Sequence, residues 1–133
     1  MPAKRPEPGS AAEWLARAGG DLVLARQPLP DGAFYEDLCF HAQQAAEKAL
    51  KALLIHLKKP FPKTHGLAAL MDLLPGDLPL PPVIRQAAAL THFATTARYS
   101  FDEPAVTKKE HREAVEMADT VVKWAEGIIS AGK

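Results

Sequence analysis

Polar side chains recur at helical spacing along residues 34–58, a segment that contains neither glycine nor proline. Gln43, Glu47 and Lys51 stand at positions i, i+4 and i+8. A glutamate four positions before a lysine has the favourable order for an ion pair on a helix. The row offers an amide, a carboxylate and an ammonium group to a ligand or partner. A solvated helix face has the same pattern, so both interpretations stay open at this point.

A second polar row on the same segment consists of His41, Gln44 and Lys48. An amide such as Gln44 could read a base edge or hold a partner's backbone, and the ammonium group of Lys48 could hold a phosphate. The segment must be a helix for either row to exist, and its Leu, Ala, Glu, Gln and Lys residues are strong helix formers.

A concentrated basic stretch follows within residues 56–65 and includes Lys58, Lys59, Lys63 and His65. It leads into a short predicted helix, whose first amides and dipole would favour an anion. These side chains could therefore hold phosphate. The alternative is a solvated loop in which His65 caps or packs locally.

A second basic group, Lys108, Lys109, His111 and Arg112, stands at the start of the last predicted helix. Positive charges at this end of a helix oppose its dipole, and a bound anion or an acidic partner would relieve the repulsion.

The composition indicates one folded domain in a reducing compartment. Apolar residues make up 47% of the 133 residues, and the formal net charge is zero, so no global field favours nucleic acid or a membrane. The single cysteine, Cys39, excludes an internal disulfide. The first residues lack a signal-peptide pattern, and the histidines lack zinc spacing. We expect a cytoplasmic protein with neither metal nor cofactor.

The periodicity predicts five helices. Residues 1–9 form a predicted flexible tail, and residues 10–130 form the helical domain. Capping-box patterns, in which two side chains satisfy free backbone amides, open the first helix at Ser10 and the last at Thr107. Thr64 is the predicted N-cap of the short third helix, and helix four runs from Pro82 to near Tyr99.

No segment alternates with period two long enough to be a strand. The predicted fold is therefore all-α, an up-and-down bundle of four main helices plus one short helix. Gly19 and Gly20 interrupt the first helix, and we interpret them as a close contact with a neighbouring helix.

Three segments carry a family resemblance: FHAQQAAEKALKALL, KTHGLAAL and TARYS, in this order. Together they resemble the HEPN domain (higher eukaryotes and prokaryotes nucleotide-binding), and the likeness extends from Trp14 to about Ile129. The resemblance implies a helical bundle that commonly forms homodimers. Many prokaryotic members pair with a minimal nucleotidyltransferase as toxin and antitoxin. Some members are metal-independent ribonucleases, and others bind a nucleotide or a partner protein.

The resemblance also implies where catalysis would lie. The family's ribonucleases carry an arginine and a histidine with four to six residues between them, which stabilise phosphate charge and transfer a proton. Arg98 and Tyr99 match the family's Arg-Tyr signature, but no histidine follows them before the next helix. Arg85 and His92 satisfy the spacing but stand earlier than the family's motif, so a chance match stays open.

The first functional hypothesis is a homodimeric HEPN module that binds a nucleotide or RNA, a minimal nucleotidyltransferase partner, or both, within a toxin–antitoxin pair. The alternative is a metal-independent ribonuclease toxin, and a purely structural adaptor is a third possibility. The candidate catalytic residues are Arg85, His92 and Arg98. The candidate binding residues are His41, Gln44, Glu47, Lys48, Lys51, Lys59, Lys63, His65, Arg98 and Tyr99.

Overall fold

The computed structural model describes residues 5–94 and 104–132, and helices account for all of their regular structure. The helices are α1 (Ala11–Ala25), α2 (Tyr35–His56), α3 (Leu67–Asp72), α4 (Pro82–Gln86) with a 3₁₀ continuation over Ala87–Ala94, and α5 (Lys108–Ala131). No described residue lies in a strand. The predicted all-α class, with four main helical runs and one short helix, is confirmed.

Helices α1 and α2 run antiparallel. At one end, the Lys51 ammonium group near the end of α2 lies 5.6 Å from the ring centre of Trp14 near the start of α1. At the other end, Asp21 of α1 contacts His41 of α2. A short loop between the two helices produces this arrangement.

Helices α2 and α5 run in the same direction. Their first turns meet where the rings of Tyr35 and His111 lie 5.3 Å apart. Their last turns meet where a Cβ added at Gly132 would lie 2.8 Å from Nε2 of His56. Between them the chain runs through α3 and through α4 with its 3₁₀ segment, the order of elements in an up-and-down bundle.

Helix α2 is the central helix and packs against α1, α3, α5 and the 3₁₀ segment. Its small side chains allow these neighbours to approach closely. Burial, together with the charges of Glu36 and Glu110, raises the pKa of the Cys39 thiol to about 12. The fully buried apolar residues of α2 are Cys39, Ala42, Ala45, Ala46, Ala49, Leu50, Ala52, Leu53 and Leu54.

The two capping-box patterns form to different extents. In α5 the box is complete, since Thr107 Oγ1 accepts from the Glu110 amide and Glu110 Oε1 accepts from the Thr107 amide. In α1, Ser10 Oγ accepts from the Glu13 amide at 3.1 Å. The Glu13 carboxylate instead accepts from the Gly9 amide, and this bond lowers its pKa. Both helices nevertheless begin at the predicted residues.

Helix α2 ends in a Schellman motif that could not be predicted from the sequence, because the usual glycine is missing. Lys58 takes the left-handed conformation, with φ of 58°, that glycine usually supplies at this position. Its amide donates to the Ile55 carbonyl, and the Lys59 amide donates to the Leu54 carbonyl.

The third helix begins later than predicted, and the fourth is only partly α-helical; its predicted end near Tyr99 lies outside the described residues. Thr64 is not the N-cap of α3: Gly66 is, and Thr64 Oγ1 accepts a hydrogen bond from the Gly66 amide. The α-helical part of helix four ends at Gln86, and the chain continues as a 3₁₀ helix to Ala94. Across residues 5–94 and 104–132, no helix is both long and apolar enough to cross a bilayer.

The interpretation of Gly19 and Gly20 as a close helix contact is wrong. A Cβ at either position would meet no atom within 4 Å, so neither glycine makes room for a neighbour.

We therefore expect Gly19→Ala and Gly20→Ala each to raise the free energy of unfolding by about 0.5–1 kcal/mol, because alanine loses less backbone entropy in a helix. Gly32→Ala is the control. Gly32 has φ of 84°, which alanine adopts with strain, so this change should destabilise. Urea unfolding measures all three, and a loss of stability in either helix variant would contradict the expectation.

Candidate functional site

The row formed by Gln43, Glu47 and Lys51 lies inside the protein. These residues are 0%, 3% and 8% exposed, so the interpretation of the row as a solvated face is wrong. Helix α2 has neighbours on several sides, and they cover this polar row as well as the apolar stripe.

The Glu47 carboxylate is the centre of a hydrogen-bond network. Lys51 Nζ donates to Oε2 at 2.9 Å, and Gln43 Nε2 donates to Oε1 at 3.1 Å. His65 Nδ1 lies 3.0 Å from Oε1, and the His65 carbonyl accepts from Gln43 Nε2. Burial raises the pKa of Glu47, but the hydrogen bonds from Lys51, Gln43 and His65 outweigh burial and hold the pKa below its ordinary value.

Aromatic rings cover the Lys51 end of this network. The ammonium group lies 5.6 Å from the ring centre of Trp14 and 5.7 Å from that of Phe61. The two rings pack edge to face. Lys51 therefore has a carboxylate partner and two cation–π contacts, so its charge is already paired within the protein.

The second row is tied to α1. Asp21 Oδ1 lies 3.1 Å from His41 Nδ1, and Asp21 Oδ2 accepts from Lys48 Nζ at 2.6 Å. Gln44 donates to the side-chain oxygen of Gln43 and so joins the two rows. Sequence reasoning missed Asp21, although its place on the buried stripe of α1 beside Leu22 was a usable signal.

The loop after α2 carries exposed lysines, but an α3 amide that was predicted to bind an anion is already bonded within the protein. Lys58, Lys59 and Lys63 are exposed, and no ion pair among the described residues engages them. The first amide of α3, on Leu67, donates to Thr91 Oγ1 at 3.0 Å. His65 has its Nδ1 on Glu47, while two thirds of its side chain is exposed.

The two candidate catalytic residues that the structure describes, Arg85 and His92, lie at different depressions. Arg85 pairs with Asp72 at 3.0 Å and borders a depression near α3, whereas His92 borders a separate one beside α5. The step from Arg85 to His92 does not return to the same helix face, because most of it lies in a 3₁₀ helix, which has three residues per turn. Arg98 and Tyr99 lie outside the described residues.

A cavity of about 350 Å³ lies where the end of α1, the α1–α2 loop and the first turns of α2 and α5 meet. We call it the corner cavity. Sequence reasoning noticed its basic residues on α5 but missed the residues that α1 and α2 contribute. Its polar and aromatic lining residues include Arg26, Tyr35, Lys108, His111, Arg112 and Glu116.

The wall of the corner cavity is held by a contact between α5 and α1. His111 Nε2 donates to the Ala25 carbonyl at 2.6 Å. This bond fixes the imidazole ring, against which the Tyr35 ring packs at an angle of 31°.

Comparison with protein families matches residues 11–128 to the HEPN domain. The chain belongs to the HEPN family. The match covers the helical domain from α1 nearly to the end of α5, so the resemblance noted in the sequence is confirmed.

Two solved structures share the HEPN fold of this chain. The crystal structure of TT1696 from Thermus thermophilus has a TM-score of 0.75 and 33% identity, over 88% of this chain and 96% of that one. The crystal structure of ST0689, an archaeal HEPN homologue, has a TM-score of 0.72 and 29% identity, over 96% of this chain and 99% of that one. No match was found among curated proteins.

Proposed function

We propose that this HEPN domain is a homodimeric binding module that engages a nucleotide or RNA, a minimal nucleotidyltransferase partner, or both. Such a partner would form a toxin–antitoxin pair with it. The observation that carries the proposal is the separation of Arg85 from His92, which line different depressions. Within the described part of a single chain, these two residues therefore do not form the pair that the enzyme alternative requires.

The polar groups of α2 support the same conclusion. Glu47 and Lys51 are buried and bonded to each other, and Asp21 is bonded to Lys48. The Asp21–Lys48 bond joins α1 to α2, and the Glu47–Lys51 bond lies within α2, so these charges already have partners inside the fold. Exposed cations remain on the loop after α2 and around the corner cavity, where they suit the binding of an anion.

The proposed dimer rests on exposed apolar side chains. Val23 and Leu24 of α1 are 56% and 47% exposed. Contiguous apolar surface can mark a protein–protein interface, and we place the centre of the proposed dimer contact at these two residues.

Purified protein at micromolar concentration is expected to scatter light as a particle of twice the 14.4 kDa chain mass. A carboxylate buried in an interface is costly, so Val23→Glu should weaken the dimer by about tenfold or more. Ala12→Glu, an exposed change on the same helix, is the control and should leave the mass unchanged.

A monomer mass for the wild-type protein would contradict the dimer. RNA cleavage in EDTA that His92→Ala abolishes, with the helical content intact, would replace the binding module by the ribonuclease alternative. A nucleotidyltransferase reading frame beside the gene would support the partner.

A further inference from the structure

The corner cavity has the size and lining of a small-molecule site. Its volume of about 350 Å³ falls within the range of ligand pockets, roughly 300–1,000 Å³. Leu29 and Val115 contribute apolar surface, and the charged groups converge from α1 and α5. Mixed linings of this kind bind ligands that have a flat apolar part and a charged group.

The charge of the lining favours an anion. Lys108 and Arg112 have no ion-pair partner among the described residues, so their charges are available. Arg26 is held by Asp119 at 2.5 Å. Glu116 is the one carboxylate among the lining residues that the structure describes.

The cations face the cavity because of their spacing. The lining positions on α5 are 108, 111, 112, 115 and 116, which lie on one face of a helix. Lys109 carries the same charge as Lys108 but lies off this face and does not line the cavity. The amide of Glu110 in the first turn is already bonded to Thr107 Oγ1, so the side chains supply the recognition.

An aromatic surface lies beside the cations. The Tyr35 ring rests on the imidazole of His111, and the bond from His111 to the Ala25 carbonyl fixes both. A ring held in this way offers a stacking surface without a large loss of side-chain entropy on binding.

We propose that the corner cavity binds a phosphomonoester that carries a planar ring, such as a nucleoside monophosphate. The phosphate lies between Lys108 and Arg112, where guanidinium and ammonium groups make charge-assisted hydrogen bonds. The ring packs against Tyr35. The inference rests on the proposed binding function and gives it a site distinct from the loop that holds Lys59 and Lys63.

The test is titration calorimetry with AMP, adenosine and inorganic phosphate as separate probes. Lys108→Ala and Arg112→Ala should each weaken AMP binding by about tenfold, as expected for loss of a charge-assisted hydrogen bond. Tyr35→Leu should weaken AMP binding by about tenfold through lost stacking. Lys109→Ala is the matched control and should change the affinity less than about twofold.

AMP should also bind more tightly than adenosine or phosphate alone, because each lacks one of the two contacts. Absence of AMP binding at millimolar concentration would overturn the site. So would AMP binding that Lys108→Ala and Arg112→Ala leave unchanged, or phosphate binding as tight as that of AMP. Circular dichroism of each variant checks the fold. The mass of the dimer tests the proposed function independently, so either can fail alone.

Discussion

Replacing Glu47 by leucine should lower the free energy of unfolding by about 3 kcal/mol, because Lys51 would keep its buried charge without a carboxylate. Lys51 is 8% exposed, and its other close groups are the Trp14 and Phe61 rings, which cannot neutralise it. Gln43 and His65 would also lose their shared acceptor. Urea unfolding at pH 7 measures the change.

The double variant separates the ion pair from the loss of packing. Lys51→Leu added to Glu47→Leu removes both charges, so it should cost less than the sum of the two single changes, by about 1 kcal/mol or more. Glu126→Leu, an exposed change on α5, is the control and should stay within about 0.5 kcal/mol of the wild type. If the double variant instead loses as much stability as the two single variants added together, the two charges act independently.

The same carboxylate predicts a pH dependence. The pKa of Glu47 in the folded protein lies below its ordinary value of 4.5, so the unfolded chain takes up the proton first. The contribution of Glu47 is therefore present above about pH 4.5 and is lost as the pH falls through the folded-state pKa. The stability difference between wild type and Glu47→Gln should be constant near pH 7 and shrink in acid.

Enlarging Ala49 to leucine should destabilise the bundle by about 2–3 kcal/mol, since extra methylene groups in a close-packed core force neighbouring side chains out of place. Ala49 is fully buried on the helix that contacts α1, α3, α5 and the 3₁₀ segment. Thermal and urea unfolding measure the loss.

Ala12→Leu provides the comparison for this change. Ala12 is exposed on α1, so its enlargement should change the stability by less than about 0.5 kcal/mol. A wild-type melting curve for Ala49→Leu would show that the alanine-lined contacts are loose and that α2 is not the tightly packed centre of the fold.

Local patterns in the sequence were sufficient for the fold class. Helix α2 follows from its composition and apolar stripe, and α5 follows from the box between Thr107 and Glu110. The start of α3 and the 3₁₀ segment were missed, since these boundaries depend on contacts distant along the chain, such as Leu67 to Thr91. Lys58 stands where a glycine would have signalled the end of α2.

The candidate site was predicted less well, because burial of a polar row depends on how many neighbours a helix has. Periodicity identified Gln43, Glu47 and Lys51 as one row but could not show that other elements cover it. The corner cavity requires the end of α1 to meet the start of α5, as Ala25 and His111 do, and no local pattern predicts a contact over such a separation along the chain.

The bonds from Asp21 also fix the register of the bundle. A helix surface made of alanines is smooth, and two such surfaces could slide past each other with little change in packing. A slide of one turn, about 5.4 Å, would leave Asp21 buried without His41 and Lys48. We expect this penalty to remove shifted packings from the ensemble, so that the polar contacts give the helices a single axial position while the alanines bring them close.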